Sequence, residues 1–188
     1  MNGGDSVNNA QGIYVTKLAE RARHLCEEKG VIRNDTFIIT QDEIERVINY
    51  FKGIIEKKQQ DELIAMCNNE NVICFMQKAK KGENIQFAIY YCGELNVMNI
   101  LHELGHVFLD LNTMQSDGIC CYRDVSCGMN EIAASKFARA FIMPTELFKQ
   151  AVLENFENGF CDVDKVAKKF GVETTQVISR GREIFLWE

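Results

Sequence analysis

At 188 residues, with 46% hydrophobic and 26% charged side chains, the chain has the composition of an ordinary soluble globular protein and the length for one well-buried domain. Its net charge of -6 gives no general reason to expect tight nucleic-acid binding, and no apolar stretch is long enough to span a bilayer. Eight cysteines could suggest a disulfide framework, but Met1-Asn2-Gly3-Gly4-Asp5 lacks the basic start and apolar run of a signal peptide, so reduced thiols in a cytoplasm are expected.

Residues 1–11, rich in Gly and Asn, are expected to be flexible, and 12–188 to form a single domain: helices over 12–60, strands and the site core over 61–143, helices over 144–188. From Gly12 to Lys29, Val15, Leu18, Ala19, Ala22, Leu25 and Cys26 recur at helical intervals before Gly30. Thr40-Gln41-Asp42-Glu43 has the form of a capping box and opens a second helix, with Ile44, Val47, Ile48 and Phe51 on its apolar face, ending near Gly53. The β-branched and aromatic runs Val72–Met76 and Ile85–Tyr91 flank a polar stretch containing Gly82 and read as two antiparallel strands. Leu63 to Cys67 fits either a third strand or the end of a helix.

The next helix, about Leu95 to Leu111, contains His102-Glu103-Leu104-Gly105-His106. Histidines four apart lie on one helix face, so His102 and His106 can present their imidazoles to one cation. In His-Glu-x-x-His the imidazoles bind zinc (Zn2+, with Mn2+ as the alternative), and the carboxylate, here Glu103, polarises the water and shuttles its proton. Asn99, His102, Glu103, His106 and Asp110 form one stripe, while Leu101, Leu104, Phe108 and Leu111 form the opposite one. A polar stripe on so apolar a helix points to an internal cleft.

Residues 112–128 read as a long loop carrying Cys120, Cys121, Cys127 and Tyr122. Without a Cys-x-x-Cys pair those thiols make a weak metal site, and Cys26, Cys67, Cys74, Cys92 and Cys161 read as small core residues. A helix is expected over Met129–Met143, another from Pro144 to Glu157 with the proline in its first turn, a short one over Val163–Phe170, and a last one from Thr174 to Leu186.

A catalytic zinc site needs a third protein ligand. Glu131 is the best candidate, because Ala134, Ser135 and Ala138 share its helix face and are small enough for that helix to approach the motif helix closely. Glu94, Asp110, Asp117 and Asp124 are the alternatives. His24, far upstream, reads as a surface or partly packed residue. Tyr90, Tyr91 and Tyr122 are candidate donors to an oxyanion, although tyrosines in strands and loops more often pack.

These residues resemble the ImmA/IrrE-type metallopeptidases, within the broader His-Glu-x-x-His zincins. The resemblance lies in His102-Glu103-Leu104-Gly105-His106, then Glu131-x-x-Ala134-x-x-Phe137-Ala138, then Phe141-Ile142-Met143-Pro144. It implies a mainly helical α+β, zincin-like domain with a small antiparallel β-sheet beside the motif helix. It also implies that His102, His106 and Glu131 are the metal ligands and Glu103 the general base. Ser135 departs from the family, which often has Asn there, and from other glutamate zincins, which have Asp, so the group that orients the ligating histidines differs. Members of the family commonly act on helix-turn-helix repressors of phages and mobile elements, which implies such a repressor as the protein substrate; no membrane partner is expected, since no stretch of the sequence could span a bilayer.

Three functions compete on the sequence. The first is an endopeptidase that makes limited cuts in an intracellular regulator, and the presence of Glu103 favours it, since binding alone needs no base beside the ligands. The second is a module that sequesters the regulator uncut. The third is a DNA-associated regulator, suggested by the helix-turn-helix-like spacing of Val166, Ala167, Phe170, Gly171, Val172 and Val177, which a small helical cap explains equally well.

Overall fold

The computed structural model describes residues 4–78, 85–110 and 128–184. The chain divides into two compact units, one of residues 40–135 and the other of 1–39 with 136–188.

In the 40–135 unit, α2 (Gln41–Tyr50) opens on the expected capping box: the Glu43 backbone N–H donates to the Thr40 hydroxyl, and the Glu43 carboxylate accepts from the Thr40 N–H. Ile44, Val47 and Ile48 are fully buried on its inner face. Lys52, at φ 62°, then reverses the chain into β1 (Gly53–Lys57), a strand the helical reading of this stretch did not anticipate. Gly53 opens that strand against Phe87, where a Cβ would lie 2.3 Å from the Phe87 ring. α3 (Gln60–Cys67) settles the ambiguous Leu63–Cys67 run as helix.

The expected pair β2 (Cys74–Lys78) and β3 (Phe87–Tyr91) is antiparallel, with Met76 opposite Ile89. β1 joins β3 in parallel, with Ile55 opposite Ile89, so the sheet is mixed and ordered β1-β3-β2. β3 is the central strand, and accordingly Phe87, Ala88 and Ile89 are buried in succession. α4 (Val97–Asp110), the motif helix, starts where the Asn96 side chain accepts from the Asn99 N–H, and it packs on β2 and β3.

The division between the units falls inside α5 (Gly128–Ile142). In the other unit α1 starts at Gly4 rather than Gly12 and runs to Glu28. Arg23, 1% exposed, donates to the carbonyls of Phe141, Ile142 and Thr36, two of them at the open end of α5. Pro144 is the N-cap of α6 (Thr145–Glu154) rather than a first-turn residue, and Glu20 of α1 accepts from the Thr145 N–H at 2.8 Å. A two-stranded hairpin, β4 (Phe156–Glu157) and β5 (Phe160–Cys161), stands where the end of that helix was expected. It turns through Asn158 and Gly159, both at positive φ.

α7 (Val163–Phe170) and α8 (Thr174–Glu183) follow, joined through Gly171 at φ 66°. The residues that gave the helix-turn-helix-like spacing are core here: Val166, Ala167, Phe170 and Val177 are buried, with Phe170 stacked on Phe148 and edge-on to Phe37. No described helix is long and apolar enough to cross a membrane.

Candidate metal centre

The site lies within the 40–135 unit, on α4 and the first half of α5. Of the apolar stripe of α4, Leu101 and Leu104 are fully buried and Phe108 half-buried, with Leu111 outside the described residues; of the polar stripe, His106 is 0% and Glu103 8% exposed. His106 and Glu103 therefore face the interior of the fold, while Asn99 and His102 are half-buried.

His102, His106 and Glu131 are brought together. One ligand atom from each lies within 4.8 Å of the others. The His102 Nε2 to His106 Nε2 distance is 3.1 Å, with the two rings at 77°. Glu131 Oε2 is 3.0 Å from His102 Nε2, and its Oε1 is 3.2 Å from His106 Nε2. Two imidazole nitrogens and a carboxylate converging on one point are a donor set suited to a divalent metal ion, and a cation relieves the repulsion among their lone pairs. Burial, aided by His102, pushes the pKa of His106 down to about 3, which keeps its ring in the neutral, lone-pair-bearing form that ligates.

Glu103 does not belong to that triad. Its carboxylate accepts from the backbone N–H of Met76 on β2, while its Oε2 is buried and accepts no hydrogen bond within the described residues. Burial and the charge of Glu131 push its pKa up to about 8, against the smaller opposing effect of the Met76 bond. A carboxyl held in this range can take up and release a proton near neutral pH.

The Met76 contact had no signal in the sequence, since a backbone donor has no residue identity. Ser135 did, as the residue one turn beyond Glu131, and its Oγ lies 3.1 Å from His102 Nδ1. Of the alternative ligands, Glu94 is exposed and lines a recess near the start of α4 with Tyr91 and Asn99, the Asp110 carboxylate is outside the described side chains, and Asp117 and Asp124 are outside the described residues. Tyr90 packs on Phe75, with the Lys58 ammonium over its ring, and Tyr122 is outside the described residues. His24 is at the surface, paired with Glu28. Cys26, Cys67, Cys74, Cys92 and Cys161 are free thiols, the first two buried as expected and the others half-buried, while the expected 112–128 loop with Cys120, Cys121 and Cys127 is outside the described residues.

Residues 96–180 match the family model described as the IrrE N-terminal-like domain, a peptidase family. The match covers α4 with its His-Glu-x-x-His motif and Glu131, and agrees with the ImmA/IrrE resemblance carried by the sequence from His102 to Pro144. It supports a peptidase-type function, and together with the His102, His106 and Glu131 group it supports a metal cofactor. No curated protein and no solved structure matches the chain.

Proposed function

We propose that the protein is a zinc-dependent endopeptidase of the cytoplasm that makes one or a few cuts in a helix-turn-helix repressor of a phage or mobile element. The observation that carries the reading is the convergence of His102, His106 and Glu131 beside a separate, buried carboxyl group. A site that only stored metal would have no use for Glu103.

His102 and His106 from α4 and Glu131 from α5 would hold the metal. Zinc bound there supplies a Lewis acid that polarises a scissile carbonyl and acidifies the attacking water. Glu103 takes the proton of that water on its carboxylate and delivers it to the leaving amide nitrogen. The Met76 N–H fixes one side of the carboxylate. One carboxyl group thus serves as acceptor and then as donor. The substrate follows from the family resemblance, and a cytoplasmic repressor fits the thiol-rich composition.

The test is incubation of the zinc-loaded protein with a repressor encoded beside it, with Glu103→Gln as control. Discrete fragments from the wild type alone support the reading. An intact repressor bound stoichiometrically by both forms overturns it in favour of sequestration.

A further inference from the structure

Where α1, α5 and α8 come together in the unit of 1–39 with 136–188, the charges do not balance. Three cations, Lys136 and Arg139 of α5 and Arg180 of α8, share two carboxylates, Glu183 of α8 and Glu20 of α1. Both guanidiniums are served. Arg139 Nε and Nη2 donate to Glu183 Oε1 at 2.8 and 2.6 Å, and Arg180 Nη2 donates to Glu20 Oε1 at 3.0 Å. Lys136, half-buried, is the cation left over, with no hydrogen bond or ion pair among the described residues. Its Nζ packs on α1 at Gly12, so closely that a Cβ there would lie 2.5 Å from it. An ammonium covered on one side by helix backbone and set beside two guanidiniums is poorly held, and the free amine is the form its surroundings favour. Burial accordingly pulls the Lys136 pKa below the usual lysine range, with repulsion by Arg180 and Arg139 adding to the effect and attraction by Glu183 opposing it.

We propose that Lys136 is an acylation site, its amine taking an acyl group from a small activated donor, an acyl phosphate or an acyl thioester. The Nζ lone pair attacks the carbonyl carbon and a C–N bond forms. The C–O bond to phosphate, or the C–S bond to the thiol, breaks, and the proton lost by the nitrogen leaves with the phosphate or thiol. The product is a neutral amide, so the surplus positive charge is removed at every pH. Its carbonyl also offers an acceptor to a cluster in which Arg180 Nη1 is buried without a hydrogen bond. Lys136 lies outside the metal-ligand set, so its acylation is independent of peptidase activity.

The test exposes the full chain briefly to acetyl phosphate, and in a separate arm to acetyl-CoA, at neutral pH, and reads acetylation lysine by lysine by peptide mass spectrometry. Lys136 is expected to be labelled about 5- to 10-fold faster than the exposed Lys29 and Lys168 in at least one arm, which identifies the donor, and its rate should level off at a lower pH than theirs. Gly12→Ala suits the helix but puts a Cβ where Nζ lies and turns the amine out toward solvent. It should bring Lys136 down to the rate of the exposed lysines with the circular dichroism spectrum unchanged. Arg139→Gln, which frees Glu183 to pair with Lys136, should slow the labelling as well. Labelling of Lys136 no faster than of Lys29 and Lys168 in both arms would overturn the inference, and so would fast labelling that Gly12→Ala leaves unchanged.

Discussion

Removing the charge of Glu103 should change how the stability of the metal-free protein depends on pH, and the site's geometry gives both sign and size. Glu103 is raised from 4.5 to about 8, so its contribution is present in full below pH 4.5 and is lost as the pH rises toward 8. His106 is lowered from 6.5 to about 3, so its contribution is present above pH 6.5 and is lost as the pH falls toward 3. Between pH 4.5 and 6.5 the two slopes oppose one another. Of these two groups only Glu103 contributes from pH 6.5 to 8, and at ~1.36 kcal/mol per pH unit its share of the loss over that interval should be about 2 kcal/mol. Glu103→Gln, which keeps an acceptor for the Met76 N–H but cannot ionise, should show no such loss; below pH 6.5 it should expose the acid-side slope of His106. Urea unfolding followed by circular dichroism, in excess chelator at a series of pH values, measures both. An equal loss from pH 6.5 to 8 in wild type and variant would refute the argument that burial and Glu131 hold a proton on Glu103.

Other consequences are open to simpler tests. Zinc at about a hundred times its Kd should stabilise the wild type and Glu103→Gln against thermal unfolding by ~2.7 kcal/mol, and His106→Ala not at all, which differential scanning calorimetry would show. Gly53→Ala, which drives a Cβ into the Phe87 ring and within 2.9 Å of Ile48, should destabilise by about 1–3 kcal/mol; Phe87→Leu in the same chain should recover part of that in a double-mutant cycle. Arg180 is fully buried, with Nε on the Met143 carbonyl and Nη2 shared between Glu20 and Thr145, so Arg180→Met should cost about 3 kcal/mol in chemical denaturation, and a neutral result would show that its partners find water instead.

The convergence of His102, His106 and Glu131 was legible in the sequence because its information is local. Four-residue spacing on a helix is geometry in itself, so His102 and His106 needed no fold to be paired, and small residues around Glu131 marked a helix face that could come close. The strands β2 and β3 were legible for the same reason, as β-branched and aromatic runs on either side of a polar break. β1 was not. Ile54 and Ile55 continue an apolar helical pattern as readily as they form a strand, and what decides between them is pairing with β3 more than thirty residues later. The hairpin at 156–161 did carry a local signal, the Asn158-Gly159 turn, which the helical pattern of the preceding residues obscured. The apolar spacing of α7 and α8 could not tell a DNA-reading pair from packed helices, because both bury the same side chains; the structure establishes the burial of Val166, Phe170 and Val177.

The central claim is that one metal ion is held by His102, His106 and Glu131 while Glu103 stays outside the ligand set. Isothermal titration of zinc into chelator-stripped protein tests it most directly. One equivalent should bind the wild type and Glu103→Gln, with binding abolished in His106→Ala and severely weakened in Glu131→Ala. Wild-type affinity in Glu131→Ala, or loss of zinc from Glu103→Gln, would contradict the account.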